Sequence, residues 1–126
     1  GIVYAMDAGS GWPIWRFRTK APVVSSPAIY DDLLFVGSAD GYLYALDLDS
    51  GRLVWRYQTE GQVVASPAVW NNNVYFGSTD GSIYGVGLRR GELQWRFDME
   101  SPVIGSPLIV NGVLYNGSAD PNRLSL

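Results

Sequence analysis

The side chains able to act as acids, bases or cation ligands in this sequence are carboxylates, and they recur. Asp7 and Asp47 lie forty residues apart, and so do Asp40, Asp80 and Asp120. Converging carboxylates can share a proton or hold a hard cation. A catalytic group, however, must break a repeat, because a ring of repeats has one axis and therefore one axial site. An Asp that returns at the same turn in every copy is explained by turn chemistry, in which its side chain caps its own backbone. The chain contains no His and no Cys. That removes the commonest general base, the commonest metal ligand, thiolate nucleophiles and disulfides. The expectation is therefore no catalytic, cofactor-binding or metal-binding residue.

Composition describes a chain that needs a core. It has 126 residues, 47% of them hydrophobic and 13% aromatic. The net charge is -3 and the nine basic residues are scattered, which leaves no electrostatic footprint for nucleic acid or an anionic membrane. No apolar run approaches the roughly 20 residues of a membrane span. The first residue is Gly1 rather than Met, from which a processed or excised segment is expected.

What must position the carboxylates is the repeat itself. "GIVYAMDAGSGWPIWRFRTK", "GYLYALDLDSGRLVWRYQTE" and "GSIYGVGLRRGELQWRFDME" begin at Gly1, Gly41 and Gly81. Tyr4, Tyr44 and Tyr84 align, as do Gly11, Gly51 and Gly91, and Trp15, Trp55 and Trp95, each followed by Arg. The intervening halves align through Ser26-Pro27, Ser66-Pro67 and Ser106-Pro107, and through Gly37-Ser38, Gly77-Ser78 and Gly117-Ser118. Domain organisation follows as one array, with repeats 1–40, 41–80 and 81–120 and a truncated fourth at 121–126.

Each unit contains four short apolar runs separated by turn residues, predicted as strands at 23–30, 33–38, 42–47 and 53–58 in the middle copy. Asn111-Gly112 is a strong hairpin signal at the first turn. Four antiparallel strands every forty residues define an all-β fold, a β-propeller of four-stranded blades with about three blades per chain. Alternation places Leu53, Trp55 and Tyr57 on one face of the fourth strand and Val54, Arg56 and Gln58 on the other. The Arg beside each Trp is expected to guard an exposed edge. Pro27, Pro67 and Pro107, read as lying within the first strand, put that strand at the inner edge of the blade.

The segments Ala5-x-Asp7-x-x-Ser10-Gly11-x-x-x-Trp15 and Ala45-x-Asp47-x-x-Ser50-Gly51-x-x-x-Trp55 resemble the tryptophan-docking motif of the pyrroloquinoline-quinone-type propeller repeat family. The third copy keeps Gly91 and Trp95 but carries Gly85, Gly87 and Arg90 at the Ala, Asp and Ser positions, so its turn is expected to be looser or differently fixed. The resemblance implies that each Trp packs on the Gly turn of a neighbouring blade while Asp and Ser hold that turn. It also implies an extracytoplasmic, periplasmic location.

Two functions follow from the resemblance. One is a non-catalytic scaffold or interaction module that binds protein partners, expected to be a fragment of a larger propeller protein and similar to the scaffold lipoprotein of the outer-membrane β-barrel assembly machinery. Its candidate loops are 19–22, 59–62 and 99–102, with Lys20, Glu60 and Glu100, and the hairpins of Asp40, Asp80 and Asp120, all expected at one end. The alternative is part of a quinoprotein dehydrogenase holding pyrroloquinoline quinone and calcium. About three blades fall short of the roughly 4–8 that close a ring, so self-association is expected, with a homodimer as the simplest closure. Trp70, in place of Tyr30 and Val110, is expected to pack.

Overall fold

The computed structural model describes residues 1–117. All regular structure in them is strand: β1 (Ile2–Met6), β2 (Pro13–Arg18), β3 (Ala28–Tyr30), β4 (Leu33–Gly37), β5 (Tyr42–Asp47), β6 (Leu53–Gln58), β7 (Ala68–Trp70), β8 (Asn73–Gly77), β9 (Ser82–Gly87), β10 (Leu93–Asp98), β11 (Leu108–Val110) and β12 (Val113–Tyr115). They form two complete four-stranded antiparallel sheets, β3-β4-β5-β6 and β7-β8-β9-β10, flanked by the two-stranded sheets β1-β2 and β11-β12. This is a partial β-propeller. Asp120 and the rest of the tail lie outside the described residues.

Alternation decides which sheet each residue meets. Leu34, Val36, Tyr44 and Leu46 turn towards β1-β2 and form one core with Val3, Trp15 and Phe17. Leu33, Phe35, Leu43 and Ala45 turn the other way and meet Val74, Phe76, Tyr84 and Val86 of the next sheet. Each complete blade is thus apolar on both faces, and its stability lies in neighbour-to-neighbour burial, as in other repeat arrays.

Two sequence expectations are corrected. The first strand of each unit begins at Ala28, Ala68 and Leu108, after the prolines, so Pro27, Pro67 and Pro107 precede the strand instead of interrupting it. Before Pro27, Ser25 replaces a strand bond with its side chain: its Oγ accepts from Gly37 N at 2.9 Å and donates to Gly37 O. The prediction of an edge position for this strand agrees with the sheet order.

The second correction concerns Leu53. A β-bulge separates Ala45↔Trp55 from Leu46↔Leu53, making Val54 the extra residue and taking Leu53 out of the Trp55 alternation. Leu53 is accordingly exposed while Trp55 is buried. The arginines do more than face solvent: the Arg56 guanidinium carbon lies 4.4 Å from the Tyr42 ring centroid, and Arg96 Nε donates to Ser82 Oγ at 2.9 Å.

Candidate interaction site at the loop end

The β4–β5 and β8–β9 hairpins and the connections between sheets meet at one end of the array, and two aspartates tie them together. Asp40 Oδ1 accepts from Tyr42 N at 3.0 Å, closing its own turn. Asp40 Oδ2 accepts from Tyr44 OH at 2.5 Å and from Lys20 N at 3.2 Å, which joins the hairpin to the connection from the preceding sheet. Asp80 repeats the arrangement with Ser82 N, Tyr84 OH and Glu60 N. Burial first, and the adjacent carboxylate second, raise the Tyr44 and Tyr84 hydroxyls well above the ordinary phenol range.

A buried seam runs beneath these nodes. Thr59 Oγ1 donates to Gly41 O at 2.9 Å, and Ser78 Oγ donates to Thr59 Oγ1 at 2.9 Å. Val63 N and Val103 N donate to Ser38 O and Ser78 O. The backbone of this end is therefore held by hydrogen bonds from both neighbouring sheets, whereas Lys20 and Glu60 project into solvent. Asp40, Gln58, Thr59, Glu60 and Gly61 line a shallow polar depression between two loops. Glu100 occupies the third copy's equivalent place, where its N–H donates to Asp98 Oδ1 at 2.7 Å.

The opposite end carries the Trp and Gly residues of the repeat. Trp15 Nε1 donates to Leu48 O at 2.9 Å and Trp55 Nε1 to Leu88 O at 3.0 Å. Their rings lie where a Cβ on Gly51 or Gly91 would sit, and both glycines have positive φ, +74° and +71°. Asp47 Oδ1 accepts from Asp49 N, Ser50 N and Ser50 Oγ. Asp7 takes Gly9 N and Ser10 Oγ in the same way. The Ser50 N–H first, in the one turn, and the Ser10 hydroxyl first, in the other, hold these carboxyls below the usual range.

Ala5 and Ala45 stand opposite Trp15 and Trp55 in the strand register. In the third copy, the turn without Asp keeps the backbone bond from Gly91 N to Gly87 O, and the Glu92 carboxylate lies over Gly87. It is fixed by backbone and by the Trp55 ring.

Sequence reasoning missed two links. Ser26 N donates to Ser66 Oγ at 2.9 Å and Ser66 N to Ser106 Oγ at 3.0 Å, so the Ser before each Pro joins neighbouring inner strands. The repeating Ser-Pro was a visible signal without an assigned partner. Arg89 forms a clasp with Asp31 and Asp32 of the preceding sheet at 2.6 and 2.8 Å. Trp70 lies against Gly112 of the next hairpin.

A family model described as outer membrane protein assembly factor BamB matches residues 1–124. The chain belongs to that family. Among solved structures, BamB from Moraxella catarrhalis is similar with a TM-score of 0.79 and 22% identity, over 95% of this chain and 37% of that one. The quinohemoprotein alcohol dehydrogenase ADHIIG from Pseudomonas putida HK5 is similar with a TM-score of 0.71 and 26% identity, over 82% of this chain and 18% of that one. A europium-containing methanol dehydrogenase gives 0.69 at 19% identity, over 77% and 21%. No curated protein matches the chain. The chain spans little more than a third of that BamB and about a fifth of the dehydrogenases, and it shares the propeller-repeat fold of both.

Proposed function

We propose that this chain is a non-catalytic propeller module of an extracytoplasmic, periplasmic scaffold, holding a polypeptide partner at its loop end. The observation that carries this reading is the double anchoring of that end. Asp40 and Asp80 fix backbone N–H groups of Lys20 and Glu60, leaving two charged side chains displayed from a rigid frame at repeated spacing. Rigid display lowers the ordering cost of binding an extended chain. The Trp15–Gly51 and Trp55–Gly91 contacts act as docking joints between blades.

The dehydrogenase alternative asks for residues that could hold calcium and the quinone. Among the described residues no three His, Cys, Asp or Glu side chains converge, and the inner segments 23–30, 63–70 and 103–110 contain no carboxylate. That donor chemistry does not fit the group.

The test uses a fluorescent peptide from an outer-membrane β-barrel strand, titrated against the chain and followed by anisotropy. Saturable binding that is lost in the Lys20→Glu, Glu60→Lys double variant, with an unchanged thermal midpoint, supports the scaffold. Equal binding by chain and variant, or none by either, overturns this site. Dye-linked alcohol oxidation after adding the quinone and calcium overturns the non-catalytic reading.

A further inference from the structure

Four positions place Asp or Asn directly before glycine: Asp40-Gly41, Asp80-Gly81, Asn111-Gly112 and Asn116-Gly117. Such a pair can react with itself, the glycine nitrogen attacking the side-chain carbonyl carbon of the residue before it. Glycine permits the approach because no Cβ stands beside the nitrogen. What separates the four is how the nitrogen and the carbonyl are held.

In the two Asp turns both reactants are occupied. Gly41 N donates to Ser38 O at 3.2 Å and Gly81 N to Ser78 O at 3.1 Å. The carboxylates accept from the Tyr44 and Tyr84 hydroxyls and from Tyr42 N and Ser82 N, and an ionised carboxylate is a poor electrophile. Asn116 is tethered as well: its Nδ2 donates to Gly105 O at 3.0 Å and its Oδ1 is buried. Asn111 differs on each count. It sits at the exposed tip of the β11–β12 hairpin, and neither its amide nor Gly112 N has a hydrogen-bond partner among the described residues.

The preceding copy supplies a control within the same chain. Asn71 begins the equivalent β7–β8 turn with the same φ, +51°, and Asn72 follows at +62° where Gly112 has +76°. The two turns match in shape and exposure and differ in whether a side chain flanks the attacking nitrogen. Exposure at this position belongs to the fold, since Asp31 and Asn71, at the same place in the two complete blades, are exposed too.

We infer that Asn111 is a site of spontaneous deamidation. Gly112 N bonds to Asn111 Cγ, the Cγ–Nδ2 bond breaks, and the amide leaves as ammonia with the proton from Gly112 N. Water then opens the cyclic imide at either carbonyl, giving an aspartyl or a β-linked aspartyl residue; solvent is the only co-reactant. The attack needs Asn111 Cγ to swing over Gly112 N, which a hairpin tip, opening more readily than a core strand, permits. Trp70 packs on this turn, its Cζ2 3.2 Å from where a Cβ on Gly112 would stand. Conversion sets a carboxylate beside that contact, and the β-linked form adds a methylene to the backbone of a two-residue turn whose length fixes the Val110↔Val113 register. This inference goes beyond the scaffold reading and stands without it.

The test is incubation of the chain in mildly alkaline buffer, then digestion with trypsin and fragmentation of the peptides by mass spectrometry, with a zero-time digest as baseline. Asn111 and Asn116 share the peptide from Phe97 to Arg123, and Asn71, Asn72 and Asn73 lie in the fully cleaved peptide from Tyr57 to Arg89, so fragment ions assign the residue. The expected result is exchange of amide for acid at Asn111, ahead of Asn116, with Asn71, Asn72 and Asn73 unchanged. Gly112→Asn, which copies the Asn71-Asn72 turn the chain already builds, should keep the strand spectrum and lose the conversion. An intact Asn111, earlier conversion at Asn116 or Asn71, or undiminished conversion in a folded Gly112→Asn variant overturns the inference. The comparison of Asn111 with Asn71 in the unaltered chain holds whether or not that variant folds, and the peptide titration reads the loop end separately.

Discussion

The Trp55 indole covers Gly91 of the next sheet and donates to Leu88 O at 3.0 Å, so one side chain joins two blades by packing and by a hydrogen bond. The glycine is needed twice over, for its φ of +71° and for the space the ring occupies. Gly91→Ala therefore bears both a left-handed backbone cost of about 1–2 kcal/mol and ring displacement of about 1–3 kcal/mol. Gly11→Ala, with open space around it, bears only the first in single chains. Urea unfolding at low protein concentration should rank Gly91→Ala as the more damaging change; equal losses would mean that the ring contact contributes nothing.

Trp55→Phe keeps an aromatic ring but leaves the buried Leu88 carbonyl without its donor. Leaving such an acceptor unsatisfied costs about 1–3 kcal/mol, and lost ring area adds to it. Trp15→Phe should cost less, because Trp15 is only half-buried. Combined with Gly91→Ala, the Trp55 change should be less than additive, since both act on one contact. Additive losses in a denaturant double-mutant cycle would refute that coupling.

Much of this junction was legible in the sequence because its parts repeat. The Trp, Gly and Asp recur at fixed spacing, and strand alternation assigns faces without knowledge of neighbours. Leu53 was misassigned because a bulge inserts one residue into the period without changing composition. The start of β3 was placed early because residues 23–27 are apolar enough for a strand, while Ser25 spends its hydroxyl on Gly37 instead. The Ser26–Ser66 link and the Arg89 clasp join residues forty or more positions apart across separate sheets. Periodicity names such residues but cannot pair them.

Tyr44 and Tyr84 give the array an alkaline limit. Their hydroxyls are raised in the folded chain by burial and by Asp40 and Asp80, whereas the unfolded chain releases these protons near the ordinary value of about 10. Below that pH both states hold the proton and the contribution is complete. Above it the unfolded state loses protons first, so stability falls as pH rises towards the folded values, by at most about 1.4 kcal/mol per pH unit for each tyrosine. The Tyr44→Phe, Tyr84→Phe variant should be less stable at pH 7 and show a shallower decline above pH 10. Parallel declines in urea titrations at several pH values would remove these tyrosines as the cause.

Arg89 tests whether a contact outside the repeat helps hold two blades in register. Its guanidinium spans Asp31 and Asp32, residues whose repeat counterparts carry no negative charge, and the pair is exposed on both sides. The two aspartates raise the pKa of Arg89, but exposure limits what such a clasp contributes. Arg89→Ala should lower the thermal midpoint slightly at low ionic strength, and the difference should shrink near 1 M salt, where the Debye length is about 3 Å. Arg89→Asp should be worse than Ala, since it sets three carboxylates together, and Asp31→Arg in that background should recover part of the loss. If Arg89→Asp and Arg89→Ala behave alike at low salt, the clasp is a geometric coincidence and the two blades are held by Trp55, the Ser26–Ser66 link, the Asp80 tie and the apolar core.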